Sequence, residues 1–98
     1  MSAVLMKQPK VDVSEERGER IAAYVHLASG GKVDRTDLVD DVLAIDYDAQ
    51  GVPVGVEVLD FDERTVTLLN EFLSTHGYAA VKPEQLAGRA AAPSGESA

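Results

Sequence analysis

From Arg20 to Leu27 the chain alternates, with Ile21, Ala23, Val25 and Leu27 on one side and Ala22, Tyr24 and His26 on the other. A period of two with β-branched and aromatic members predicts a strand. A second alternating run spans Thr36 to Tyr47 and is cleanest at Leu43, Ile45 and Tyr47 against Val42, Ala44 and Asp46. Within it, Asp40-Asp41 marks a bulge or a break. A third run covers Val52 to Leu59, with Val54, Val56 and Val58 on one face and Gly55, Glu57 and Leu59 on the other. Pro53 cannot donate a ladder hydrogen bond, which predicts an edge or outward-facing position at that end. Lys10 to Val13 predicts a short further strand.

The connections carry turn chemistry. Ser14-Glu15-Glu16-Arg17-Gly18 is a charged turn and Ser29-Gly30-Gly31 a second one. In Asp48-Ala49-Gln50-Gly51, the glycine falls where a type I turn plus bulge needs a left-handed residue.

At Asp60 the period changes. Leu68, Leu69, Phe72 and Leu73 form a stripe at helical spacing, with Thr65 and Val66 one turn earlier. Asp60 followed by Glu63 has the form of a capping box, and Asp62 is the rival N-cap. Gly77 after His76 is a stop signal. The helix is therefore expected from about Asp62 to about His76. Beyond it, Tyr78 to Val81 forms a short edge strand or packs down, and Pro83 to Ala87 opens a helical turn with proline at its first position.

These elements predict an α+β domain: an antiparallel β-meander of three to four strands, followed by one amphipathic helix packed on the sheet. Residues 1–9 read as a flexible arm, 10–87 as the single domain, and 88–98 as a disordered tail with nothing to bury. A sheet this small leaves open edges and a modest core. Homodimerisation would relieve both.

Composition narrows the function classes. The 98 residues contain no cysteine, so no disulfide, thiolate nucleophile or cysteine-ligated metal is available, and a cytoplasmic location is favoured. Met1 to Lys10 is too short in apolar residues for a signal sequence, and no run approaches the ~18 apolar residues of a membrane span. Nine basic against seventeen acidic residues give a net charge of −8. The basic residues are dispersed, so direct nucleic-acid binding is not expected.

One local pattern points to metal chemistry. Asp46-x-Asp48-x-Gln50-Gly51-x5-Glu57 nearly reproduces a calcium loop, with oxygen ligands at positions one, three, five and twelve and glycine at six. Three features oppose that reading. Gln stands at the fifth position, Pro53 at the eighth, and both flanks alternate with period two instead of the helical period. Asp46, Asp48 and Glu57 are therefore kept as metal candidates of a hairpin that is expected to hold none. The wider set of Asp37, Asp40, Asp41, Asp46, Asp48, Glu57, Asp60 and Asp62 could supply an acid–base pair or a magnesium site. A solvated rim of loop ends explains it more simply, with Asp60 and Asp62 serving the helix start.

The two histidines, His26 and His76, have no zinc-ligand spacing. Ser14, Ser29, Thr36 and Ser74 lie in no nucleophile-elbow context. Gly30-Gly31-Lys32 resembles the end of a phosphate loop but lacks the earlier glycine, the following hydroxyl residue and a helix, so it is a turn. No catalytic or cofactor-binding residue is assigned.

Several segments together resemble a known family. They are Val11-Asp12, Ala22-Ala23-Tyr24-Val25-His26-Leu27, Val42 to Asp48, and Gly51-Val52-Pro53-Val54-Gly55-Val56-Glu57-Val58-Leu59. Over residues 11–60 the chain is similar to the bacterial domain-of-unknown-function family 2283. Its members show a Tyr-Asp strand, an Ala-Leu-Tyr-Ile strand, an Asp-x-Asp-Gly hairpin and a closing Gly-Ile-Glu-Ile-Leu. Here Val11 replaces Tyr, Ala23 replaces Leu, and one extra residue separates Asp48 from Gly51. The resemblance implies a small β-rich bacterial cytoplasmic protein, implies no catalytic residues, and supports the hairpin reading of 46–57.

The expectation is thus a non-enzymatic, homo-oligomeric protein-interaction or regulatory module without a cofactor. An acidic surface with a flexible tail suits a basic protein partner such as a toxin or a nucleic-acid-binding protein, the first of which would make the chain antitoxin-like. The alternative is a metal- or small-ligand-binding protein using the carboxylates of the 46–57 hairpin.

Overall fold

The computed structural model describes residues 6–17, 19–27 and 31–87. It contains strands β1 (Lys10–Glu16), β2 (Glu19–His26), β3 (Arg35–Val39), β4 (Leu43–Tyr47) and β5 (Pro53–Val58), then helices α1 (Glu63–Thr75) and α2 (Pro83–Ala87). The five strands form one antiparallel sheet in the order β1-β2-β5-β4-β3. The fold is α+β, but the expectation of three to four strands in a meander is corrected in two ways. There are five strands, and the chain leaves β2 for the opposite edge before β3, β4 and β5 wind back until β5 pairs with β2.

The extra strand comes from the run Thr36–Tyr47, which is two strands joined by a tight turn. Asp40 and Asp41 both have positive φ, 51° and 59°, and the Val42 amide donates to the Val39 carbonyl at 3.0 Å. Aspartate tolerates this left-handed region better than most residues, so Asp-Asp closes a hairpin where Asn-Gly would be the usual signal. The first strand is also longer than expected. β1 runs on through Ser14 and Glu15, and the chain turns at Arg17, with φ 57°.

Pro53 does not mark an edge. It is buried and is the first residue of the central strand. Proline is tolerated there because it is the first residue of the strand, paired with Tyr47 of β4 while the β2 pairing ends at Gly55. The Asp48–Gly51 turn behaves as expected: Gly51 has φ 82° and its amide reaches the Asp48 carbonyl at 3.0 Å.

Two cross-strand rows build the covered face. One runs Val13, Ala23, Val58, Leu43, Val39; the other runs Val11, Val25, Val56, Ile45, Asp37. Their central members join Leu69 and Leu73 of α1, Tyr78, Val81 and Leu86 in one buried cluster. Fully burying a side chain such as Val56 or Leu69 contributes about 1.5–3 kcal/mol. α2 lies along β1.

The helix starts at the rival cap. The Asp62 side chain accepts from the Thr65 amide and hydroxyl, each at 2.8 Å, whereas Asp60 accepts from the adjacent Phe61 amide. The Asp60–Glu63 capping box does not form. At the other end Gly77 has φ 82°, its amide reaches the Ser74 carbonyl, and the Tyr78 amide reaches the Leu73 carbonyl. This is a Schellman motif, and it carries buried Tyr78 back beside buried Leu73. Tyr78 also forms a parallel bridge with Lys7. Residues 1–5 of the expected arm, and the expected tail at 88–98, lie outside the described residues.

Candidate functional site

The face of the sheet opposite α1 carries the polar side chains. Its two rows run Asp12, Tyr24, Glu57, Ala44, Leu38 and Lys10, His26, Gly55, Asp46, Thr36. Strand alternation puts them there, since their chain neighbours point to the side of the sheet that faces α1.

Tyr24 and Asp46 form the centre. The Tyr24 hydroxyl donates to Asp46 Oδ2 at 2.7 Å, reaching diagonally from β2 across β5 to β4. It can do so because Gly55 has no side chain: a Cβ there would overlap the Tyr24 Oη, Cζ and Cε2 atoms. Thr36 donates to the other oxygen of Asp46 at 2.5 Å. One carboxylate therefore ties the edge strand β3 to β2 across β4 and β5. Beside it His26 Nε2 meets Asp12 Oδ2 at 2.7 Å, and the His26 and Tyr24 rings pack edge to face with centroids 4.8 Å apart.

The electrostatics follow from this packing. The Tyr24 hydroxyl is pushed well above the usual phenol range, first by burial and then by the hydrogen bond and charge of Asp46, with a smaller contribution from Glu57. Tyr24 is thus a neutral donor at ordinary pH, neither a base nor a nucleophile. Asp46 is an acceptor with both oxygens engaged.

The metal candidates are dispersed. Asp46 is opposite Gly55, not Glu57. Asp48 Oδ1 accepts from the Gln50 and Val52 amides, both at 2.9 Å, and so holds its own turn. Glu57 is exposed one row away, between Tyr24 and Ala44. Among the described residues, no group of three or more histidine or acidic side chains is gathered as a metal-ligand set.

The remaining acidic residues stand apart. Asp40 pairs with Arg64 of α1 at 2.9 Å, and Asp37 with Arg35 at 3.6 Å. Asp41 lies in the β3–β4 turn, while Asp60 and Asp62 serve the start of α1. His76 caps α1, its Nδ1 3.0 Å from the Phe72 carbonyl. Ser74 lines a shallow hollow along α1 with Thr67, Asn70, Glu71 and Thr75. Ser14 follows Asp12 along β1, and Lys32 is exposed before β3. Ser29 and Gly30 lie outside the described residues.

Sequence reading missed three roles. Gly55 makes room for Tyr24, Thr36 serves Asp46, and Asp12 partners His26. Residue parity along each strand was the available signal, but it gives faces only. The neighbour order β1-β2-β5-β4-β3 is needed to bring these residues together.

No described helix is long and apolar enough to cross a membrane. The chain matches no curated protein and no solved structure. The segment from Ala22 in β2 to Phe61 before α1, which contains Tyr24, Asp46, Gly55 and Glu57, matches the model of the family described as Protein of unknown function (DUF2283), and over residues 22–61 the chain is similar to that family.

Proposed function

We propose that the chain is a non-enzymatic protein-interaction or regulatory module that works as a homo-oligomer and receives a basic protein partner. The observation that carries this reading is the sheet face that points away from α1. Five of its polar side chains are bound to one another, Tyr24 and Thr36 on Asp46 and His26 on Asp12. Groups engaged in this way build a fixed surface; a catalytic site would hold a free base or nucleophile aimed at a substrate. Asp12, Asp46 and Glu57 stand against Lys10 on this face, within a chain of net charge −8. Such a surface steers and orients a cationic partner. An open edge of the sheet provides the self-association that a small open sheet favours.

Native mass spectrometry of the untagged protein tests the reading. An assembly of two or more chains is expected. A bare monomer at every concentration, with no protein bound, overturns it. The alternative, cation binding by Asp46, Asp48 and Glu57, has less support because Asp46 and Asp48 already accept hydrogen bonds from the protein. It predicts a melting temperature that rises with millimolar calcium or magnesium; the interaction reading expects none.

A further inference from the structure

Every residue from Gly31 to Leu38 is exposed, and β3 is an edge of the sheet. Four large hydrophobic residues are exposed among the described residues, and two of them fall in this segment: Leu38 at 63% and Val33 at 48%. An exposed edge strand presents unpaired backbone donors and acceptors and is a template for another strand.

The charges of this edge suit one occupant. Residues 31–39 carry Lys32 and Arg35 against Asp34 and Asp37, so the segment is neutral in a chain of net charge −8. The opposite edge differs: β1 carries Lys10 against Asp12, Glu15 and Glu16, and pairing it with itself would concentrate negative charge.

We propose that β3 pairs antiparallel with β3 of a second copy, about a two-fold axis at Thr36, extending one sheet across two chains. In that register Arg35 of each copy faces Asp37 of the other, and Val33 faces Val39. Charge pairs and apolar pairs directly opposite one another stabilise a sheet, and like charges there destabilise it. Neighbouring registers are poorer. An axis at Asp37 sets that carboxylate against itself. An axis at Leu38 leaves little strand to pair, because the left-handed turn at Asp40 and Asp41 ends β3. Within one chain Arg35 lies over the Tyr47 ring at 4.4 Å, and its contact with Asp37 is 3.6 Å and exposed. An exposed pair of that kind is weak, so Asp37 remains open to a second arginine.

This pairing rests on the homo-oligomeric reading and names its interface. Arg35→Asp and Asp37→Arg, each alone, put like charges opposite one another at both symmetry-related positions. Each is expected to weaken the dimer about tenfold or more. Mixing the two variants restores both opposite-charge pairs in a heterodimer, which native mass spectrometry resolves by mass. The heterodimer is expected to exceed either homodimer. Loss of an internal Arg35 contact cannot produce that rescue, since neither chain regains it. Amide exchange on the wild-type protein is independent of the variants: protection over residues 35–39 is expected to fall on dilution. Dimers indifferent to both substitutions, with exchange at 35–39 independent of concentration, would overturn the β3 interface while leaving the homo-oligomeric reading standing. A wild-type protein that remains monomeric overturns both.

Discussion

The ring of Tyr24 occupies the space over Gly55 that a side chain there would take. This is a backbone requirement imposed by packing, since Gly55 is in a regular strand paired with His26 and Asp46. Gly55→Ala is therefore expected to displace the ring and break its bond to Asp46, destabilising the fold by about 1–3 kcal/mol. For a domain of this size each kcal/mol lowers Tm by roughly 4–8 °C. The check is a double-mutant cycle with Tyr24→Ala. Once the ring is gone, Gly55→Ala should cost far less; an equal cost in both backgrounds would show that the ring is not what excludes the methyl group.

Raising the pH should loosen the same contact. The folded-state pKa of Tyr24 lies above its unfolded value near 10. Its contribution to stability is fully present below that value and is lost as pH rises through the folded-state pKa. Stability is expected to fall above about pH 10, and Tyr24→Phe should flatten that part of the fall. At neutral pH the same substitution should cost about 0.5–1.5 kcal/mol for the lost hydrogen bond, toward the lower end because Asp46 is only half-buried. Denaturant unfolding of both proteins from pH 7 to 11 measures this. Parallel curves would remove Tyr24 from the account.

Much of this arrangement was legible in the chain. Alternation assigned Tyr24 and His26 to one face of β2, and Val54, Val56 and Val58 to the other side of β5. The helix followed from Leu68, Leu69, Phe72 and Leu73, and Gly51 and Gly77 marked turns because both needed positive φ. The β3–β4 hairpin was legible only in part: Asp40-Asp41 marked a bulge or a break in the run, but with no glycine there the sequence did not say that the chain reverses. The central place of β5 was not legible. Pro53 suggested an edge; it is instead the first residue of β5, paired with Tyr47 of β4 and beyond the stretch that β2 pairs, where a missing N–H breaks no β2 ladder bond. The site depended on that ordering: Tyr24 and Asp46 meet because β5 lies between their strands, a non-local fact that no spacing encodes.

The start of α1 separates two aspartates that sequence alone left as rivals. Asp62 holds the Thr65 amide and hydroxyl, and these bonds, with a lesser effect of Arg64, keep its carboxyl below the usual range. A lowered pKa stabilises above the unfolded value and is lost as pH falls through the folded one. Asp62→Ala should lower Tm at neutral pH, and the gap from wild type should close as pH falls below about 4. Asp60→Ala should change Tm little. The reverse order of effects would return the cap to Asp60.

Asn70 fastens the C-terminal segment to α1. Its amide group donates to the Val81 carbonyl at 3.0 Å and accepts from the Val81 amide at 2.8 Å. Val81 is 1% exposed and belongs to the core cluster beside Leu86, so these backbone groups have little access to water. Removing the clamp leaves a donor and an acceptor without partners, at about 1–3 kcal/mol for each unsatisfied group. Asn70→Ala should therefore cost more than Glu71→Ala on the exposed side of the same helix, and should raise amide exchange from Val81 to Leu86 before the sheet is affected. Asn70→Asp should restore only part of the loss. A carboxylate accepts from the Val81 amide but cannot donate to its carbonyl. Uniform loss of protection across sheet and helix would instead mean that this segment opens only with the whole fold.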